Sequence, residues 1–91
     1  MSTKKPYTEE QIRYILENYL KNEDSCMKET GHSLGSIRLM LQNIAATYGL
    51  ANVGTCNPMY SKIADEYRES NRVFGLTMPK KSFCMRFGII Q

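Results

Sequence analysis

Between Ser33 and Tyr48 the apolar residues Leu34, Ile37, Met40, Leu41, Ile44, Ala45 and Tyr48 recur every three or four positions, with Gly49 directly after them. That spacing is the period of a helix and not of a strand, and it draws one continuous apolar stripe along a rod capped by Ser33 and stopped by Gly49. A helix with one apolar side has to bury that side against other elements, so the rest of the chain is expected to supply partners for it.

Those partners can be read before and after it. Thr8 is placed as an N-cap, Glu9 and Glu10 face the positive end of the helix dipole, and Gln11 at the third helical position completes a capping box. Tyr7 and Ile12 are spaced for a hydrophobic staple. Ile12, Ile15, Leu16, Tyr19 and Leu20 form one stripe, so a first helix is expected from Glu9 to about Lys21. Asn22-Glu23-Asp24 reads as a polar turn, after which Asp24 or Ser25 caps a short second helix running to about Thr30, and Gly31 permits a left-handed turn. Residues 50–57 read as a loop. Asn57-Pro58 opens a fourth helix with Tyr60, Ile63, Ala64 and Tyr67 on its inner side and a Lys62–Glu66 pair on its solvated face.

The tail is ambiguous by period alone. Phe83, Met85, Phe87 and Ile89 alternate as in a strand, which makes residues 73–78 and 82–90 a hairpin with Pro79-Lys80-Lys81 at its tip; Phe83, Phe87 and Ile90 equally suit a helix from near Pro79 to Gly88. The helices before it favour the helical form. The expected fold is mainly α: a trihelical helix-turn-helix over residues 7–49, then a C-terminal extension over 57–91 holding a fourth helix and a short C-terminal helix or β-hairpin. Residues 1–91 are expected to form a single domain, with 1–6 as a flexible basic arm.

Several function classes are disfavoured at once. With 42% hydrophobic and 23% charged residues among 91, the chain has the composition of one globular domain and not of a disordered segment. It has neither an apolar run long enough to span a membrane nor the apolar core of a signal peptide, so a cytoplasmic protein is expected. Cys26, Cys56 and Cys84 are odd in number and far apart, which fits a reducing compartment better than a disulfide framework. No C-x-x-C or H-x-x-x-H pair gathers ligands locally, so buried thiols are expected in place of a metal site, and no cofactor is called for. One histidine, His32, and the lack of G-x-S-x-G, Walker or G-x-G-x-x-G sequences argue against an enzyme.

The net charge of +3 is small, but it is unevenly spread: residues 8–24 sum to −3 and residues 73–91 to +3. No acidic residue occurs between Thr30 and Ala64, so helix 33–48 has an acid-free outer side. Gly35, Arg38, Leu39, Gln42 and Ala46 lie there, flanked by Ser36 and Asn43, and these side-chain types suit hydrogen bonds to phosphates or base edges. Lys4 and Lys5 are candidates for a minor-groove arm, and Lys80, Lys81 and Arg86 for a further phosphate contact. Each has a plainer reading: the lysines serve solubility, and Arg38 pairs with a carboxylate of the acidic first helix. Leu39 is expected to touch a thymine methyl, a partner protein or the tail.

Two stretches resemble a known family. Tyr7-Thr8-Glu9-Glu10 is similar to the W-T-x-E-E opening of the Myb/SANT and homeodomain-like trihelical domains, and Gly31-His32-Ser33-Leu34-Gly35-Ser36-Ile37-Arg38 to the G-R-S-x-x-A-V-R stretch entering their third helix. The resemblance covers residues 7 to about 49 and implies that Ser33, Ser36, Arg38 and Gln42 face DNA. The expected function is that of a small DNA-binding transcriptional regulator with helix 33–48 as recognition helix and duplex DNA as partner, as a monomer or a homodimer. The alternative is a protein-binding adaptor or inhibitor that docks on a larger enzyme such as a polymerase, for which six methionines and six tyrosines offer an adaptable surface.

Overall fold

Four of the helices begin where a side chain replaces a missing backbone partner. In the computed structural model, which describes residues 7–51 and 57–89, these are α1 (Glu9–Asn18), α2 (Glu23–Thr30), α3 (Leu34–Thr47) and α4 (Pro58–Ser70), followed by α5 (Lys80–Arg86). Thr8 Oγ1 accepts the Gln11 N–H at 3.1 Å and Gln11 Oε1 accepts the Thr8 N–H at 3.0 Å, so the capping box is formed. Ser33 and Asn57 cap α3 and α4 as their positions predict. The second helix starts earlier than expected, because the Asn22 side chain, not Asp24 or Ser25, takes the cap by accepting the Ser25 N–H at 3.2 Å. The first stops short of Lys21: the Asn18 carbonyl accepts both the Lys21 and the Asn22 N–H, which tightens the chain into a turn and carries Leu20 out of the apolar stripe to 54% exposure.

One cluster of buried side chains joins the elements. Ile12, Ile15 and Leu16 of α1, Ile37, Met40, Leu41 and Ile44 of α3, and Ile63 and Ala64 of α4 meet with Cys26 of α2 and Phe83 of α5. α4 packs on both α1 and α3. It runs parallel to α1 in a fixed register, since Glu9 pairs with Lys62 (3.4 Å) and Arg13 with Glu66 (2.8 Å), both at a separation of 53 residues. Lys62 and Glu66 are thus drawn to α1 instead of to each other, as the sequence spacing had suggested. These exposed pairs add little, about 0–1 kcal/mol each, and the apolar seam beneath them supplies the attraction.

The tail is helical. A strand would carry Phe83, Met85 and Phe87 to one side, whereas Met85 is 54% exposed while Phe83 and Phe87, one helical turn apart, both enter the core. β-pairing among the described residues is confined to an isolated bridge between Val73 and Leu76, so the hairpin with Pro79-Lys80-Lys81 at its tip does not form. Gly31 ends α2 at φ +72°, the left-handed conformation its position called for.

Two tests follow from this core. Phe83→Ala removes a fully buried ring and should cost about 3–5 kcal/mol, read from the urea midpoint. Burial holds the Cys26 and Cys84 thiols protonated beyond the ordinary value of 9.0, so the folded state keeps its full advantage below that pH and loses it as the pH rises further. Alkylation at about pH 8 should leave both cysteines unmodified in native protein and modify both in urea, as read by peptide mass spectrometry. Cys56 lies outside the described residues.

Candidate nucleic-acid interface

The entry to α3 is fixed from inside. Tyr7 stacks on His32 with ring centroids 3.9 Å apart and planes 12° from parallel, and the Tyr7 hydroxyl and Ser36 Oγ lie 3.0 Å apart. Ser36 Oγ is also 3.3 Å from His32 Nδ1. The first turn of α3 is therefore tied to the residue that precedes α1's cap, and burial raises the Tyr7 hydroxyl's pKa above its ordinary value. The hydroxyl of Ser36 is thus engaged within the protein. Ser33 is exposed, and its Oγ accepts the Ser36 N–H at 3.2 Å, which leaves the hydroxyl hydrogen as a donor toward the outside.

Along the rest of the helix the outer side is uneven. Gly35, Arg38 and Leu39 are exposed, Leu39 to 43%, whereas Gln42, Asn43 and Ala46 are half-buried. The end of α5 closes over part of this side: Arg38 and Gln42 share a cleft of 130 Å³ with Tyr19, Phe87, Gly88 and Ile89. The Asn43 carbonyl accepts the Thr47 hydroxyl at 2.8 Å. What stays open is a narrow strip through Ser33, Gly35, Arg38 and Leu39, with the edge of Gln42.

Arg38 shares a cleft with Tyr19, and that neighbour together with the Glu23 carboxylate raises its pKa above the ordinary value. The carboxylate anticipated from the acidic stretch 9–24 acts at a distance: Glu23 raises the Arg38 pKa, but no ion pair closes between them. Among the described residues Arg13, Arg68 and Arg72 each pair with a carboxylate, and Arg38 and Arg86 do not. Both unpaired arginines belong to the residues the sequence singled out.

The basic tail divides. Lys80 Nζ sits 5.1 Å above the Tyr48 ring at the end of α3, where Arg68 lies 5.4 Å from the same ring, so α5 brings Lys80 and its exposed neighbour Lys81 to the C-terminal end of α3. Tyr48 in turn donates to Asp65 at 2.5 Å. Arg86 bonds the Tyr67 hydroxyl at 3.3 Å and overlooks a groove of 510 Å³ with Leu16, Leu20 and Lys21, away from the Lys80 position. Lys4 and Lys5 lie outside the described residues.

Three features escaped the sequence reading. The Tyr7–His32–Ser36 contact joins residues 29 apart and leaves no local trace. Lys80 on Tyr48 is likewise a product of tertiary packing. The third, the turn Val73-Phe74-Gly75-Leu76, did have a signal: an X-Gly pair between apolar residues is the pattern of a two-residue hairpin loop, masked here because phenylalanine stands where asparagine is usual.

No group of three metal-ligating side chains gathers among the described residues, and no described helix is long and apolar enough to cross a membrane. Comparisons with protein-family models, curated proteins and solved structures return no match.

Removing the hydroxyl that holds the entry to α3 gives a local test. Tyr7→Phe should lower stability by about 1 kcal/mol in urea denaturation, because Ser36 loses a partner while the ring stack on His32 persists.

Proposed function

We propose that the protein binds duplex DNA through the open strip of α3, with Arg38 as the central contact, Ser33, Leu39 and Gln42 beside it, and Lys80 and Lys81 on phosphates. The observation that carries this reading is the state of Arg38: exposed, in no ion pair among the described residues, and on a helix without acidic residues. An exposed arginine outside any ion pair offers its forked donors to an outside acceptor, and guanine edges and phosphates are the acceptors such a fork fits. Lys80 stands near Tyr48, ten residues along from Arg38, which is about 15 Å of helix. That length exceeds the roughly 12 Å width of the major groove, so the two cations suit a base edge and a bordering phosphate. Ser36 is left out of this site because its hydroxyl is engaged with Tyr7. The resemblance to the Myb/SANT and homeodomain-like domains points the same way, and the transcriptional-regulator role and cytoplasmic location rest on it and on the sequence.

The adaptor reading has one observation of its own, the groove that Leu16, Leu20 and Tyr67 line together with Glu17, Lys21 and Arg86. A single titration separates the two. Fluorescence anisotropy with random-sequence duplex should show affinity falling steeply as salt rises. Arg38→Ala should weaken binding by roughly tenfold, and Lys80→Ala/Lys81→Ala should reduce the salt slope by about two units, one per phosphate contact. Weak binding that ignores salt and both variants would transfer the assignment to the adaptor.

A further inference from the structure

Four of the six large apolar side chains that the described protein leaves exposed are Leu20, Val73, Phe74 and Leu76, and they belong to two features beside the C-terminal end of α4. The first is a knob. Phe74, at 97% exposure, stands at the tip of a two-residue turn closed by backbone bonds of 2.8 and 2.9 Å between Val73 and Leu76. Its φ is +52°, a conformation that strains a bulky residue. The turn is nonetheless braced: Glu69 accepts the Thr77 hydroxyl at 2.5 Å and pairs with Arg72, which donates to the Gly75 carbonyl at 3.3 Å. That brace spends the turn's base and its neighbouring acid on each other, so the tip has no spare charge for an ionic partner. What it offers is apolar surface.

The second feature is a groove of 510 Å³ between the C-terminal ends of α1, α4 and α5, with Leu16, Leu20 and Tyr67 as its apolar lining. Glu17, Lys21 and Arg86 also line it and are in no ion pair among the described residues, so its charges are of both signs and favour no polyion. An apolar cavity of about 150 Å³ already holds a benzene ring, so this groove has room for a phenyl ring and its shoulders. Asn71 lines the groove and Phe74 follows three residues later, which puts their Cα atoms within about 11 Å of each other. Knob and groove thus lie side by side, yet the closed turn holds Phe74 in water and out of its own chain's groove.

We propose that the protein associates as a twofold dimer in which Phe74 of each copy, flanked by Val73 and Leu76, seats on Leu16, Leu20 and Tyr67 of the other. A second copy brings both complementary pieces, and a knob next to a groove lets one twofold axis fill both at once, which closes the assembly at two chains. With about 150–250 Å² for each aromatic side chain, burying the four exposed apolar side chains of both copies removes on the order of 1,000 Å² from water, the lower edge of specific interfaces. The association is therefore reversible and weak. It is separate from the α3 strip and does not rest on the DNA reading.

Sedimentation equilibrium of the whole chain, from micromolar to millimolar concentration, should show monomers passing to dimers and no further. Phe74→Gly suits the positive φ, so at low concentration it should melt at or above the wild-type temperature. It should weaken dimerisation by roughly a hundredfold, because each dimer loses two buried rings. Leu20→Asp, at an exposed position of the groove, should weaken it comparably. Mixing the two variants tests the exchange itself. Neither variant alone has a competent contact, but a mixed dimer joins the intact turn of one to the intact groove of the other, so association should recover by roughly tenfold over either alone. No recovery on mixing, dimerisation unchanged by Phe74→Gly, or a mass that climbs past two chains would overturn the exchange. Wild type that stays monomeric throughout would also overturn it and leave turn and groove to a different protein.

Discussion

Phe83 is where the separate parts of this chain are made to depend on one another. Its ring is wholly buried and meets Tyr48 at the end of α3, Tyr67 on α4 and Phe87 on its own helix, at centroid distances of 4.9–6.3 Å. α5 is only seven residues long and has no side-chain cap, so it has little helical stability of its own and is held by this aromatic contact. Everything that α5 positions follows from it: Lys80 over Tyr48 at one end, Phe87 against Tyr19 at the other, and the cleft that narrows the outer side of α3. The tail is part of the core and shapes the outer surface of α3.

The same packing sorts the charges. Parallel docking of α4 on α1 consumes acids and bases together, since Glu9, Arg13, Lys62 and Glu66 face one another along a single seam. Farther along α4, Asp65 takes Arg68 and Glu69 takes Arg72. The cations in no ion pair among the described residues include Arg38, Lys80, Lys81 and Arg86, all on α3 or α5. A net charge of only +3 therefore understates the cationic character of α3 and α5, because all nine acidic residues lie on α1, α2 and α4.

What was legible in the sequence was what local chemistry decides. Caps at Thr8, Ser33 and Asn57, the left-handed stop at Gly31 and the inner stripe of α3 are each set by a few neighbouring residues, and each formed where the residues indicated. Where distant residues compete, local pattern fails. Lys62 had a suitable partner four residues on and took Glu9 instead; Ser36 lay on the outer flank of a helix wheel and turned its hydroxyl to Tyr7. Leu20 continued the stripe of α1 by period, yet the turn at Asn18 removed it from the core. The open strip of α3 was legible as a composition, an acid-free face, but its width was not, because the cover from α5 depends on a docking that no periodicity encodes.

The helix ends carry the division of charge one step further. α1 and α2 each place two acids in the first turn, Glu9 and Glu10 in one and Glu23 and Asp24 in the other, and these cancel the positive end of the dipole. α3 begins with neutral Ser33 and has no acid in its first turn, so its partial positive charge is uncancelled and adds to that of Arg38, one turn farther on. An anion approaching α1 or α2 at its start meets carboxylates, whereas the same anion at the start of α3 meets backbone N–H groups, a hydroxyl and a guanidinium. Capping chemistry and side-chain charge are independent choices in a sequence, and here both leave the same helix open.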